Sequence, residues 1–189
     1  MNLYLLLKFV HVLGAVGVFA AFAVEWVSLE DLRRASAAEQ ARRGIVLGNT
    51  VRWVGAPSLL ILLASGIYLA STAWSWEAGW IGVSMGSLVL IAILGGAING
   101  RKVGALAKAL PATGVLDQPL LARAGDPLLS LSLRLRMAIT VGIIYLMTLK
   151  VVEAWKAVAV IAVALIGGAA ATLPAFRRQG GARLTAGRS

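Results

Sequence analysis

Long apolar runs separated by short polar connections constrain this chain more than any single motif does. The runs cover about 3–29, 53–73, 80–99, 133–152 and 157–176. Crossing a hydrocarbon core of about 30 Å takes roughly 20 helical residues, so each run is long enough to span. With 59% hydrophobic and 14% charged residues, the 189-residue chain has the composition of a polytopic membrane protein. The expectation is an all-α membrane helix bundle of five transmembrane helices over 1–176. A basic tail, 177–189, is predicted to be disordered.

The charges are distributed unevenly along this plan. Of eighteen Lys and Arg residues, five lie between Glu30 and Arg52, six between Arg101 and Arg136, and four after Phe176. The remaining three, Lys8, Lys150 and Lys156, fall at the opposite ends of the runs. The positive-inside rule then puts the N-terminus outside and the C-terminus in the cytoplasm. It also makes the lipid bilayer, not nucleic acid, the partner implied by the net charge of +10. Ala21-Phe22-Ala23 has the form of a cleavage site, but no basic segment precedes the first run and arginines follow it, the wrong polarity for a signal peptide.

Local signals place the boundaries. Glu30 lies three and four residues before Arg33 and Arg34, which suits a helix extending out of the membrane. Ser36-Ala37-Ala38-Glu39 has the capping-box form and predicts a new helix start. Pro57 predicts either a kink in one helix or a break between two. Trp74, Trp76 and Trp80 predict a tight interfacial hairpin. Gly82, Gly86, Gly96, Gly100 and Gly104 form a ridge of small residues suited to close approach by another helix, in a homo-oligomer or a membrane complex. The stretch 101–126, with Pro111, Gly114, Pro119 and Gly125, reads as a loop with a helical turn or two. Asp126-Pro127 reads as N-cap and first residue of a helix. The period-two alternation over 129–136 is rejected as a strand, because a lone strand beside a bilayer leaves backbone groups unpaired.

Several chemistries are excluded. With no cysteine and one histidine, disulfides, thiolate catalysis and multi-residue Cys/His metal sites are ruled out. Gly95 to Lys102 approximates a P-loop but has no Ser or Thr after the lysine and no preceding strand. Asp31, Asp117 and Asp126 sit at the predicted cytoplasmic side, away from His11, which argues against a catalytic triad.

Lys8, His11 and Glu25 remain, on one stripe of the first helix with residues 15, 18 and 22. Lys8, about 8 Å below the outer boundary, is close enough for its ammonium to reach the interface, and Lys150 is a second interfacial anchor. Glu25 lies near the inner boundary, where Arg52, Arg101, Arg134 and Arg136 gather, and a structural ion pair between helix ends is the simple reading. His11, about 12 Å deep, has two readings. One is a neutral imidazole bonded to a neighbouring helix through Tyr68, Ser71, Tyr145 or Thr148. The other is a proton-relay group or the axial ligand of a haem b, with Met85 or Met147, at similar depth, as second ligand.

The pattern Lys8-Phe9-Val10-His11-Val12-Leu13-Gly14-Ala15 resembles the opening K-x-x-H-x-x-G-A of a family of small bacterial integral membrane proteins of unknown function. Pro57 to Tyr68 and Met147 to Lys150 fit as well, and the resemblance covers about residues 1–152. It implies a multi-pass protein of the bacterial cytoplasmic (inner) membrane. A first-span lysine and histidine are also distantly similar to membrane protoporphyrinogen oxidases and copper-resistance membrane proteins. In those oxidases the histidine is implicated in haem binding, which would carry over to His11. Two functional expectations follow: a non-catalytic transporter-like, accessory or assembly component, and a haem-binding or redox membrane protein using His11.

Overall fold

The structure, a computed structural model, describes residues 2–172. Those residues are helical throughout apart from short connections, and no strand occurs among them. Helix α1 is Leu3–Arg34, α2 Ala38–Ala73 and α3 Gly79–Ile93. A π-helical segment, Leu94–Gly100, joins α3 directly to α4, Arg101–Ala109. Then come α5, Gln118–Ala124, α6, Pro127–Leu149, and α7, Ala154–Ala170. Four helical stretches are long and apolar enough to cross a membrane: Leu3–Arg34, Ala38–Ala73, Gly79–Ala109 and Gln118–Leu149. The fifth apolar run is the shorter α7. Positions 173–176 of that predicted span and the basic tail lie outside the described residues.

Helices α1 and α2 pack antiparallel along most of their length, and small residues set the approach. A Cβ on Gly14 would lie 3.2 Å from the Ser58 carbonyl oxygen, and one on Gly17 would overlap the Ser58 side chain. Further along, a Cβ on Gly44 would meet Leu32, and one on Gly48 would meet Ser28. Ser28 Oγ donates to the Gly44 carbonyl at 2.8 Å. Without these glycines the two backbones would have to separate. Pro57 lies inside a single helix, so of the two alternatives for 53–57 the chain adopts the continuous one.

The start of α2 departs from the expected capping box. Its N-cap is Ala37, and the Glu39 side chain takes no part. The Ser36 backbone N–H donates instead to Gln40 Oε1 at 2.9 Å. The free N–H of Ala38 donates to the Gly114 carbonyl at 2.8 Å, and Leu116 N–H donates to the Ser36 carbonyl at 3.0 Å. A distant backbone thus satisfies the helix start that a side chain would otherwise cap. Gly114 has φ +108°, a conformation that disfavours any side chain.

The expected loop over 101–126 is mostly helix. The third helix continues through the π segment into α4, whose Leu106 is buried, and α5 follows the connection 110–117. The breakers Pro111 and Gly114 fall in that connection. Asp126 caps α6, its Oδ1 accepting from Leu128 N–H at 2.9 Å, and Oδ2 pairs with Lys102 Nζ at 2.5 Å.

At the opposite end, Gly79 N–H donates to the Val152 carbonyl at 2.7 Å and Trp80 N–H to Val151 at 3.2 Å. The Trp74 and Trp80 rings meet edge to face at 5.6 Å, and the Lys150 ammonium stands 4.1 Å from the Trp74 centroid. Lys150 closes α6 in the left-handed region, φ 52°. Lys8, Lys150 and Lys156 therefore share one end of the bundle, and the arginines among the described residues lie toward the other.

Candidate functional site

The buried stripe of α1 runs through Val18, Phe22, Glu25, Ser28 and Leu32, and that of α6 through Leu129, Ser132, Arg136, Ile139 and Ile143. Both have helical spacing and are apolar except near the point where they meet. There Arg136 Nη2 reaches Glu25 Oε1 at 2.5 Å. Asn99 Nδ2, from the π segment, donates to the same oxygen at 2.5 Å. Glu25, Asn99 and Arg136 are 8%, 6% and 5% exposed, so three polar groups from three helices meet out of solvent.

The surroundings hold the guanidinium in place. Arg136 Nε donates to the Ser132 carbonyl at 3.3 Å, and its Cζ lies 5.6 Å from the Phe22 ring centroid. Ser132 Oγ donates to the Leu94 carbonyl at 3.2 Å, tying the first residue of the π segment to α6. A Cβ on Gly95 would lie 3.1 Å from Arg136 Nη1, so the glycine leaves the space that the guanidinium fills. Asn99 lies eleven residues after the buried Leu88, about three helical turns, and so continues the buried face of α3 into the π segment. Asn99 Oδ1 is buried without a hydrogen-bond partner. The amide must point this way, because its oxygen would repel the Glu25 carboxylate.

Of the four arginines expected around Glu25, only Arg136 joins it. Arg134 is two residues away on α6, about 200° around the helix. It stacks over Trp26 at 5.4 Å and donates to the Ala171 carbonyl. Arg101 is offset from Asn99 by the same two residues and borders a groove between α2 and α3. Arg52 is exposed on α2. Asn99, Ser132 and Gly95 were not singled out as site residues in the sequence; the available signal was a lone asparagine at the end of an apolar run.

His11 lies at the other end of the α1–α2 interface. Its Nδ1 is 2.9 Å from Ser65 Oγ, and Ser65 Oγ donates to the Ile61 carbonyl. The hydroxyl has one proton and gives it to Ile61, so Oγ accepts from Nδ1–H and leaves Nε2 as the bare nitrogen. A Cβ on Gly66 would lie 3.3 Å from His11 Cε1, so this glycine admits the ring. The partner is Ser65, not the four residues the sequence suggested. Ser71 and Thr148 turn their hydroxyls to their own helices, onto the Ile67 and Ile144 carbonyls. Met85 is on α3 and Met147 on α6, and no hydrogen bond among the described residues joins either to the imidazole. Lys8 is exposed, one turn from His11.

No family model, curated protein or solved structure matches this chain.

Proposed function

We propose that this chain is a five-span protein of the bacterial cytoplasmic membrane, N-terminus outside, and a non-catalytic component of accessory or assembly kind. The observation that carries this reading is the closed arrangement at Glu25. A single carboxylate oxygen takes both Arg136 and Asn99, which neutralises the charge and latches α1, the π segment and α6 together. Ionisable groups at membrane depth often mark ion paths. Here the charges are matched within the bundle, the arrangement that suits a structural latch. In proteoliposomes enclosing a pH-sensitive dye, wild type and E25Q/R136Q should give the same proton flux as empty vesicles under an imposed potential. A wild-type flux that E25Q/R136Q removes would overturn the latch in favour of proton-coupled transport.

A haem-binding reading is favoured by one observation, the 2.9 Å contact of His11 Nδ1 with Ser65 Oγ. Axial histidines characteristically donate their second ring N–H to a fixed acceptor, as Nδ1–H does here to Ser65, and this leaves Nε2 for the iron. His11 would be the protein ligand, and haem would supply one-electron chemistry when bound. A Soret band in detergent-purified, haem-supplemented protein that H11A abolishes would support this reading. Its absence from wild type sinks it.

A further inference from the structure

A groove of about 500 Å³ runs between α2 and the α3–π helix. Leu59 and Leu63 form one wall and Leu88 and Ala92 the other, with Gly96 leaving space between them and Arg101 at one end. This is the size of a small-molecule pocket, roughly 300–1,000 Å³. The lining is otherwise uncharged. Arg101 forms no ion pair among the described residues, in contrast to its neighbour Lys102, which is held by Asp126.

A second arginine marks the same end. Arg52 precedes Leu59 and Leu63 by seven and eleven residues, which puts it on their face of α2, about two turns below the apolar wall. Arg101 stands eight residues beyond Ile93 on the opposite wall, across the π segment. Arg52, like Arg101, forms no ion pair among the described residues. Two unneutralised guanidiniums therefore terminate the two apolar stripes that flank the groove.

We infer that the groove holds one anionic phospholipid, its acyl chain along Leu59, Leu63, Leu88 and Ala92 and its phosphate at Arg101 and Arg52. Guanidinium–phosphate pairing supplies the charge complement, and basic pockets between helices at the cytoplasmic face are suited to such headgroups. A second copy of the chain fits less well. Between Glu25 and Arg136 this end carries eleven Lys and Arg against six Asp and Glu, so two such ends repel each other. The inference rests on the membrane placement proposed above, which resistance to carbonate extraction checks independently.

The test is native mass spectrometry of the detergent-purified chain with dioleoyl phosphatidylglycerol or dioleoyl phosphatidylcholine. Wild type should retain the anionic lipid several-fold better than the zwitterionic one, and R52Q/R101Q should lose that preference. A Cβ at Gly96 meets nothing within 4 Å, so G96L fills the groove and leaves both arginines in place. It should lower retention of both lipids, and A92L serves the same purpose if G96L fails to fold. Equal retention of the two lipids by wild type overturns the inference. So does an unchanged preference in R52Q/R101Q, or wild-type retention by both groove-filling variants. A wild-type dimer that G96L converts to monomer would assign the groove to a second copy instead.

Discussion

Arg136 on α6 and Glu25 on α1 are separated by 111 positions in the chain, yet their side chains meet at 2.5 Å with both residues almost fully buried. The pair closes the chain on itself, joining the first helix to the sixth. Asn99 completes it from the π segment. Removing one member leaves the other charged, desolvated and unpaired.

E25A and R136A should therefore each destabilise the fold by about 3–5 kcal/mol, whereas E25L/R136M should recover most of the loss, because uncharged side chains of similar size carry no desolvation penalty. Thermal unfolding in detergent measures all three. A double variant no more stable than the singles would mean that the pair contributes something other than charge balance.

Two glycines of α3 should respond oppositely to alanine. At Gly79 the new Cβ would lie 2.5 Å from the Ala154 Cα and backbone nitrogen, and those backbone atoms cannot step aside. G79A should cost about 1–3 kcal/mol or more by overpacking. At Gly82 nothing lies within 4 Å, so G82A should be neutral or stabilising by up to about 1 kcal/mol through helix propensity. Equal effects at the two sites would contradict the packing of the Trp74–Trp80 hairpin on the Val151–Ala154 turn.

S65A removes the acceptor for His11 Nδ1–H and should cost about 1 kcal/mol, and H11A should cost correspondingly less in the S65A background than in wild type. A double-mutant cycle on unfolding midpoints reads this coupling. Additive losses would show that the imidazole has a more important partner than Ser65.

Orientation is open to labelling because the chain has no cysteine of its own. S75C, in the Trp hairpin, should react with an impermeant maleimide in intact cells, and S36C should react only after permeabilisation. The reverse pattern would invert the proposed topology.

The glycine ridge shows where sequence reasoning stopped. Gly82, Gly86, Gly96 and Gly104 have no neighbour within 4 Å of an added Cβ, whereas Gly14, Gly17, Gly44 and Gly48 carry the α1–α2 contact. Four-residue spacing says that a helix can be approached closely, but it does not say by which element. The same limit holds over 101–126. Pro111, Gly114, Pro119 and Gly125 point to a loop, but Leu106 is buried and the helix carries on as far as Ala109.

The sequence by itself determined that the chain is all-helical, with runs long and apolar enough to cross a membrane. It also determined that positive charge gathers at one end, since hydropathy and charge are properties of local stretches. It singled out Glu25 and His11, because an ionisable group in an apolar run is conspicuous wherever it lies. Only the tertiary structure decided that Arg136 and Asn99 meet Glu25 while Arg52, Arg101 and Arg134 do not, and that Ser65 is the side-chain partner of His11. Those choices depend on helix rotation, and a two-residue offset, about 200° on a helix, separates a buried partner from an exposed one.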